Sequence, residues 1–335
     1  MREVNSHGSI RAGIGTVDTW SMRARTNAIA MIDGQLSLVD AGTVEGHRQF
    51  VQYQDGIVRL LDDQLEEIAA HELEASRVLA ARGLEHLAVS DGSNLLILGA
   101  APGTVAATGT PEAAVTVADV NCDAAAFVGD LLIATAPAAE THRVLLINPA
   151  TGDVVDEATI DADGATAFII PHPTELVVVI EFPMGQDGCV AQRVEVISGS
   201  LRVDEILCGQ DPVIAGFNPS GTRLLVTPYP DDPETARVLA WPSMDEIGRL
   251  SADDLAAEIG IGLAACWIDE KRIAIYAMED SLVVTNESLG EPVRARLLLD
   301  FRDEGDLETL VSLDTGRVAA GVWTPEGRFT LIFEI

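Results

Sequence analysis

Several features common in enzymes and nucleic-acid-binding proteins are scarce in this sequence. Aromatic residues make up 4% of the 335 residues, and 21 Lys and Arg face 53 Asp and Glu, which gives a formal net charge of −32. All of the basic residues except Lys271 are arginine. Because nucleic-acid backbones and anionic membranes are polyanions, this charge argues against both as partners. It favours a protein partner of basic character.

The cysteines are few and lack a metal-binding pattern. There are four, without C-x-x-C spacing or clustered histidines: Cys122, Cys189, Cys208 and Cys266. We interpret them as free thiols. The sequence contains no P-loop, no G-x-S-x-G, no H-E-x-x-H and no calcium loop. We therefore predict no catalytic residues, no metal and no cofactor.

Long apolar runs are missing as well. No stretch reaches the roughly 18 apolar residues that a membrane-spanning helix needs. The first residues lack the basic and apolar regions of a secretory signal. These features predict a soluble, cytoplasmic chain. The apolar fraction of 47% is sufficient for a substantial core, which Val, Leu, Ile and Ala must fill because aromatics are scarce.

What the sequence does contain is a repeated unit, clearest between Pro212 and Leu250. Apolar segments alternate there with turns at 218–221, 228–235 and 242–245, so that four short strands fit into about 40 residues. Similar strand-and-turn segments recur along the chain and align at Leu61, Ile147, Ile197, Trp241, Thr285 and, near the end, Phe329. The first interval spans two units and the others give a period near 45 residues, which is typical of propeller blades.

This periodicity predicts an all-β fold, a single seven-bladed β-propeller of four-stranded antiparallel blades. The predicted blades span residues 28–75, 84–120, 122–161, 165–208, 212–250, 262–300 and 307–335. The last one holds only three strands, so we predict that an N-terminal strand completes it, for which 9–15 and 28–32 are both candidates. Such closure removes the free sheet edges that invite aggregation.

Two segments depart from the repeat. Residues 62–83 are rich in helix formers at roughly helical spacing. We predict a strand there through about Leu73 and a helix or loop afterwards. In residues 251–259, Ser251 is followed three positions later by an acid, which predicts a single capped helix between two blades.

The unit at 212–250 resembles a degenerate WD40 repeat. Trp241 occupies the tryptophan position of that family at the end of the third strand, and Phe217-Asn-Pro-Ser-Gly221 matches its first turn. Pro242 replaces the usual Asp, and no Gly-His pair precedes the first strand, so the Asp-His network of the family is absent from this unit. The chain also looks like the WD40-like propellers common in actinobacteria. The resemblance implies a propeller fold and a role as an interaction platform, without an activity.

Catalysis at the central channel is the alternative interpretation. Propeller enzymes place ionisable groups on or near the innermost strands, and in the innermost strands predicted here only Glu85, His86 and Glu308 titrate. A lyase or hydrolase would act through His86 with one of the two acids. His142 is assigned to a polar loop and His172 to a turn. A third possibility is a small ligand in the channel, for which no specific motif is present.

A partner-binding surface is predicted on the face that carries the loops between second and third strands and between blades. The longest of these loops, at 182–189, 228–234, 251–261 and 302–306, come from consecutive blades and should form one patch. Apolar anchors inside an acidic rim suit a basic or Arg-rich protein partner. The predicted residues are Phe182, Met184, Asp187, Tyr229, Asp231, Asp232, Glu234, Asp253 and Asp254.

Overall fold

The computed structural model of the protein describes residues 30–33, 39–44, 47–54, 56–73, 75–83, 86–99, 113–117, 120–162, 165–230, 234–257, 259–278, 281–297, 306–325 and 327–335. These residues form seven four-stranded antiparallel sheets, as the sequence period predicts. No helix within them is long and apolar enough to span a membrane.

The strands are numbered in chain order, and each blade takes four of them. The short strand β1 (Ala30–Asp33) precedes the first blade. Blade 1 contains β2 (Val39–Val44), β3 (His47–Gln54), β4 (Ile57–Leu61) and β5 (Glu67–Glu72). Blade 2 contains β6 (Arg77–Arg82), β7 (His86–Ser90), β8 (Leu95–Gly99) and β9 (Ala113–Val117). Blade 3 contains β10 (Ala124–Val128), β11 (Leu131–Ala138), β12 (Thr141–Ile147) and β13 (Val154–Asp161).

The remaining blades follow the same order. Blade 4 contains β14 (Phe168–Pro171), β15 (Val177–Pro183), β16 (Cys189–Ile197) and β17 (Ser200–Ile206). Blade 5 contains β18 (Val213–Phe217), β19 (Arg223–Thr227), β20 (Thr235–Ala240) and β21 (Glu246–Ser251). Blade 6 contains β22 (Ile261–Trp267), β23 (Arg272–Ala277), β24 (Ser281–Asn286) and β25 (Val293–Arg296). Blade 7 contains β26 (Asp306–Ser312), β27 (Arg317–Thr324) and β28 (Gly327–Glu334) together with β1.

An N-terminal strand closes the ring, as predicted. Strand β1 pairs antiparallel with β28, with Ala30 opposite Ile332 and Asp33 opposite Phe329. The candidate segment 28–32 thus supplies the missing strand, whereas the other candidate, 9–15, lies outside the described residues. Closure gives the last blade its fourth strand.

The core is divided among the blade interfaces. The middle strands are largely apolar on both sides because a neighbouring blade covers each face, as in the buried run from Val177 to Ile180 in β15. The fourth strands face solvent and read as polar alternations, as in β17. One cluster of buried Val, Leu, Ile and Ala side chains lies at each junction between neighbouring blades.

The predicted helix or loop after Leu73 is wrong, because Arg77–Arg82 is strand β6. Strand β5 lies before it and follows a tight turn, in which Leu65 has a φ of 60° and the Asp62 carboxylate accepts hydrogen bonds from the backbone N–H groups of Gln64 and Glu66. Helix propensity is a weak preference, and pairing with the flanking strands overrides it. Blade 2 therefore begins at Arg77 rather than at residue 84.

The predicted helix at 251–259 is reduced to a single 3-10 turn, Asp253–Leu255. The expected cap is present: Ser251 N–H donates to Asp254 Oδ2 at 3.1 Å, and Asp254 N–H donates to Ser251 Oγ at 3.1 Å. The helix ends at once because Ala256 takes a left-handed conformation, with a φ of 48°.

Candidate functional site: the upper face and the cleft between blades 4 and 5

Strand direction decides which loops lie together. The first strand of each blade starts at the connection from the preceding blade and runs to the opposite end. Because the four strands alternate in direction, the loops between second and third strands lie at the same end as those connections. We call this end the upper face and the opposite end the lower face. The loops at 183–189, 228–234 and 251–261 all belong to the upper face.

A cleft of about 590 Å³ opens on the upper face between blades 4 and 5. Its walls come from the β15–β16 loop, the connection from β17 to β18, the β19–β20 loop and the outer strands of blade 5. Asp187, Tyr229 and Glu234, three of the predicted site residues, line it together. The phenol of Tyr229 donates a hydrogen bond to Gly185 O at 2.7 Å, which joins the loops of the two blades.

Phe182 is a core residue, and its prediction as a surface anchor is wrong. Its side chain is 0% exposed, and its ring lies 4.8 Å from that of His142 at the interface of blades 3 and 4. The residue lies near the end of the buried strand β15, and the neighbouring blade covers it. Met184, two residues further on, is half-buried.

The other predicted acids separate into two groups. Asp253 and Asp254 are exposed on the next connection, and neither lines the cleft. Asp254 is held by Ser251, whose hydrogen bonds keep the pKa of that carboxyl below its usual range. Asp231 and Asp232 lie outside the described residues.

Two arginines that the sequence reading missed also line the cleft. Arg237 of β20 lies directly opposite Arg249 of β21 in the sheet register. Arg249 forms a two-point ion pair with Glu246, at 3.0 and 2.8 Å, which holds the pKa of Glu246 below its usual range. Arg237 is half-buried and donates from Nη1 to Gln210 Oε1 at 2.6 Å, and burial lowers its pKa. That Arg237 and Arg249 are neighbours follows from the register of β20 and β21, which the spacing of the repeats does not define.

Asp211 fixes the blade 4 wall of the cleft. Its Oδ1 accepts a hydrogen bond from Cys189 N–H at 3.0 Å. A Cβ on Gly188 would lie 2.0 Å from the same oxygen, and Gly188 has a φ of 87°, so a glycine is required where the two loops approach. The β15–β16 loop and the blade 4–5 connection are therefore locked together.

A buried acid lies beneath that wall. Glu181 of β15 is 6% exposed, and its Oε2 accepts a hydrogen bond from Ile214 N–H, the second residue of blade 5's first strand, at 2.5 Å. Burial raises the pKa of Glu181 to about 7. Glu181 therefore titrates near neutral pH, where a surface glutamate stays ionised.

Exposed apolar side chains also reach the upper face near the central channel. Phe168 is the first residue of β14 and is 53% exposed, and Leu263 of β22 is 43% exposed. Trp323 is 41% exposed and lies opposite Asp306, the first residue of β26. Phe168 and Leu263 fall within predicted innermost strands: the first begins β14, and the second lies where the pairing of β22 with β23 is interrupted between Ile261 and Ala265.

The predicted pair of His86 with an acid does not form a channel site. Residues 77–82, and not 84–89, are the innermost strand of blade 2, so His86 begins the second strand at the lower face. Glu308 is near the start of β26, toward the upper face, where Arg328 Nη2 donates to it at 3.3 Å. Glu85 lies outside the described residues. The proposed acid–base pair is therefore wrong for His86 and Glu308.

His142 lies in a strand, and its assignment to a polar loop is wrong. It is fully buried in β12, and its Nε2 lies 3.1 Å from Asp123 Oδ2. Thr135 Oγ1 donates to Asp123 Oδ1 at 2.6 Å. An Asp-His network is thus present in blade 3, although the unit at 212–250 lacks the residues for one. This network depends on pairs of residues from different strands, which no single segment reveals.

His172 lies in the predicted turn and also joins two blades. Its Nδ1 accepts from the backbone N–H of Glu175 at 3.0 Å, so Nε2 carries the proton and donates to Gly221 O at 2.9 Å. Its ring packs against Phe217 and Trp241. These contacts lie at the lower face, away from the cleft.

No protein-family model matches the chain, and no curated protein matches it by sequence. Many solved structures match it in fold. A chain of the mitotic checkpoint complex aligns with a TM-score of 0.57 at 11% identity, over 100% of this chain and 99% of that chain. The Dos1 propeller aligns with a TM-score of 0.55 at 11% identity, over 85% of this chain and 75% of its own.

A third similar structure is BBS1N in complex with ARL6DN. It aligns with a TM-score of 0.52 at 15% identity, over 93% of this chain and 97% of that chain. At such identities a shared fold does not carry over a function. What this chain has in common with these proteins is the propeller architecture, and the seven four-stranded sheets make it a seven-bladed β-propeller.

Proposed function

We propose that the protein is an interaction platform that binds a protein partner, of basic character, on the upper face. The observation that carries the proposal is the exposure of Phe168, Leu263 and Trp323 on the same face as the acidic loops of blades 4 to 6. Large apolar side chains that a folded protein leaves in solvent, within a charged rim, are typical anchors of protein interfaces. The resemblance to WD40-like repeats supports the same role.

The acidic rim has a different task from the anchors. Asp187, Glu234 and Asp253 are exposed, and the chain as a whole has a strong excess of negative charge. Long-range attraction accelerates encounter with a basic partner and weakens as salt is added. Buried apolar anchors then determine how slowly the complex dissociates.

The test compares the upper face with the lower face. We would attach wild type, Phe168→Ser/Trp323→Ser and the control Ile197→Ser/Ile247→Ser to beads and capture proteins from lysate of the native cell. The control residues are exposed to a similar extent, 41% and 40%, but lie at the lower face. We expect a partner that wild type and control retain and the upper-face variant loses. Loss of the same partner from the control alone, or its retention by all three, would refute the proposal.

A further inference from the structure

In the described part of the chain, Arg237 lacks the ion pair that several arginines of blades 3 to 5 have. Arg143 pairs with Glu157, Arg223 with Glu287, and Arg249 with Glu246. Among the described residues, Arg237 has no carboxylate within ion-pair distance, and its partner is the neutral amide of Gln210. A guanidinium has five N–H donors, and a half-buried one without a counter-ion loses solvation without compensation.

The described residues next to Arg237 do not form an ion pair with it. Arg249, directly opposite Arg237, adds a second positive charge, and like charges opposite each other in a sheet destabilise it. Glu246 accepts both of its hydrogen bonds from Arg249 and acts on the pKa of Arg237 only through space, where burial outweighs it. The cleft therefore presents a positive group in a chain whose net charge is −32.

Negative charge lies at the rim of the same cleft. Asp187 and Glu234 line the same cleft and are exposed. Glu234 lies in the turn before β20, three positions before Arg237, and both line the cleft. In an extended peptide, side chains two positions apart point to the same side and lie about 7 Å apart. A basic and an acidic side chain at that spacing would face complementary charges.

We propose that the cleft between blades 4 and 5 binds an extended peptide segment in which a carboxylate lies two residues from a basic side chain. Arg237 binds the carboxylate, and Asp187 and Glu234 face the basic group. This deepens the proposed function, on which it rests, by assigning a sequence feature to the partner. The polar lining favours charged peptide side chains over the apolar small molecules that fit most pockets of this size.

A carboxylate is favoured over a phosphate. The cleft is lined by Asp187, Asp211 and Glu234 as well as by the two arginines. A phosphate carries nearly two negative charges at neutral pH, and these carboxylates would repel it more strongly than they repel a carboxylate. Arg237 can bind a carboxylate through two parallel N–H donors, which a lysine cannot do.

The experiment uses four fluorescein-labelled peptides of identical length with blocked ends. The mixed peptide contains Arg-Ser-Glu between Gly-Ser flanks. The second replaces Glu by Gln, the third replaces Arg by Gln, and the fourth replaces Glu by phosphoserine. Fluorescence anisotropy measures their affinity for the full chain of wild type, Arg237→Gln, Arg237→Lys and the control Arg202→Gln, an exposed arginine on β17 of blade 4. Free glutamate and arginine serve as competitors to distinguish a peptide site from an amino-acid site.

We expect the mixed peptide to bind wild type and Arg202→Gln equally and Arg237→Gln about tenfold more weakly. The Gln-for-Glu peptide should lose the same factor on wild type and lose nothing further on Arg237→Gln, because the two changes remove one contact. Arg237→Lys should recover part of the affinity. Circular dichroism melts of each variant establish that the fold is retained.

Other outcomes overturn the inference. Equal binding of all four peptides, or no loss with Arg237→Gln, would show that Arg237 does not recognise a carboxylate. Tighter binding of the phosphoserine peptide would assign the cleft to phosphopeptides instead. Full competition by free glutamate or arginine would make it an amino-acid site. If no peptide binds but the upper face still captures a partner through Phe168 and Trp323, this inference fails while the proposed function stands.

Discussion

The junctions after blade 3 and after blade 4 perform the same task with different side chains. Each uses a largely buried carboxylate to accept a hydrogen bond from a backbone N–H where the next blade begins. Asp123 Oδ2 accepts from Ala167 N–H at 2.8 Å, and Glu181 Oε2 accepts from Ile214 N–H at 2.5 Å. The register places Glu181 opposite Phe168, in the position that Thr135 has opposite Ala124. The carboxylate lies just before the first strand in blade 3 and on the second strand in blade 4, and in both blades it accepts from a backbone N–H group.

The support around the two carboxylates differs. Asp123 also has Thr135 Oγ1 and His142 Nε2 within hydrogen-bond distance. In blade 4 the positions of Asp123 and His142 are taken by Ala167 and Cys189, and the pKa of Glu181 rises to about 7 because burial outweighs the hydrogen bond from Ile214. Equivalent junctions of one ring can thus differ in their response to pH. The following predictions test this difference.

The largest effect is expected from Asp123→Ala. It leaves Thr135, His142 and the N–H of Ala167 without their acceptor, so we expect the free energy of unfolding to fall by about 3 to 5 kcal/mol. Urea denaturation at pH 7 measures it. Glu157→Ala is the control, because that acid pairs with Arg143 at the surface of the same blade and should cost about 0.5 kcal/mol or less. Equal losses in the two variants would contradict a special role of Asp123.

An intermediate effect, dependent on pH, is expected from Glu181→Gln. The folded pKa of Glu181 is raised above its unfolded value, so its carboxyl stabilises the fold below about pH 4.5, and this stabilisation is lost as pH rises toward 7. On lowering the pH from 8 to 5, wild type should gain about 2 to 3 kcal/mol relative to Glu181→Gln. Urea denaturation of both proteins across this range measures the difference. A difference that stays constant with pH would show that Glu181 does not titrate there.

The smallest effect is expected from Thr135→Val. It removes one of the three donors to Asp123 and preserves the shape of the side chain, so the free energy of unfolding should fall by about 1 kcal/mol. Chemical denaturation at pH 7 provides the value. A loss as large as that of Asp123→Ala would mean that Thr135, rather than the carboxylate, organises the junction.

The sequence predicts the ring well because periodicity is a property of the whole chain. Seven units, four strands in each and closure by residues near Ala30 all follow from turn residues and apolar segments at regular spacing. The prediction for Arg77–Arg82 was wrong because helix-forming residues are common in this segment, whereas pairing with the next strand makes it a strand.

The site was predictable only in part, because burial at strand ends depends on the neighbouring blade. The sequence predicts Asp187, Tyr229 and Glu234 on one face, and in the structure the three line one cleft. The sequence does not distinguish buried Phe182 from exposed Phe168, since both lie near an end of a largely apolar strand. Nor could it find Arg237 beside Arg249, or Asp123 beside His142, because these pairs depend on register.

The pairing of β1 with β28 has a consequence for how the protein is made. Ala30 pairs with Ile332, so the contact that closes the ring joins residues about 300 positions apart. During synthesis the ribosome must release the residues through β28 before that contact can form, so β1 stays unpaired while blades 1 to 6 are made. Long-range pairing of this kind slows folding. The net charge of −32 makes growing chains repel one another during that interval, which opposes their association.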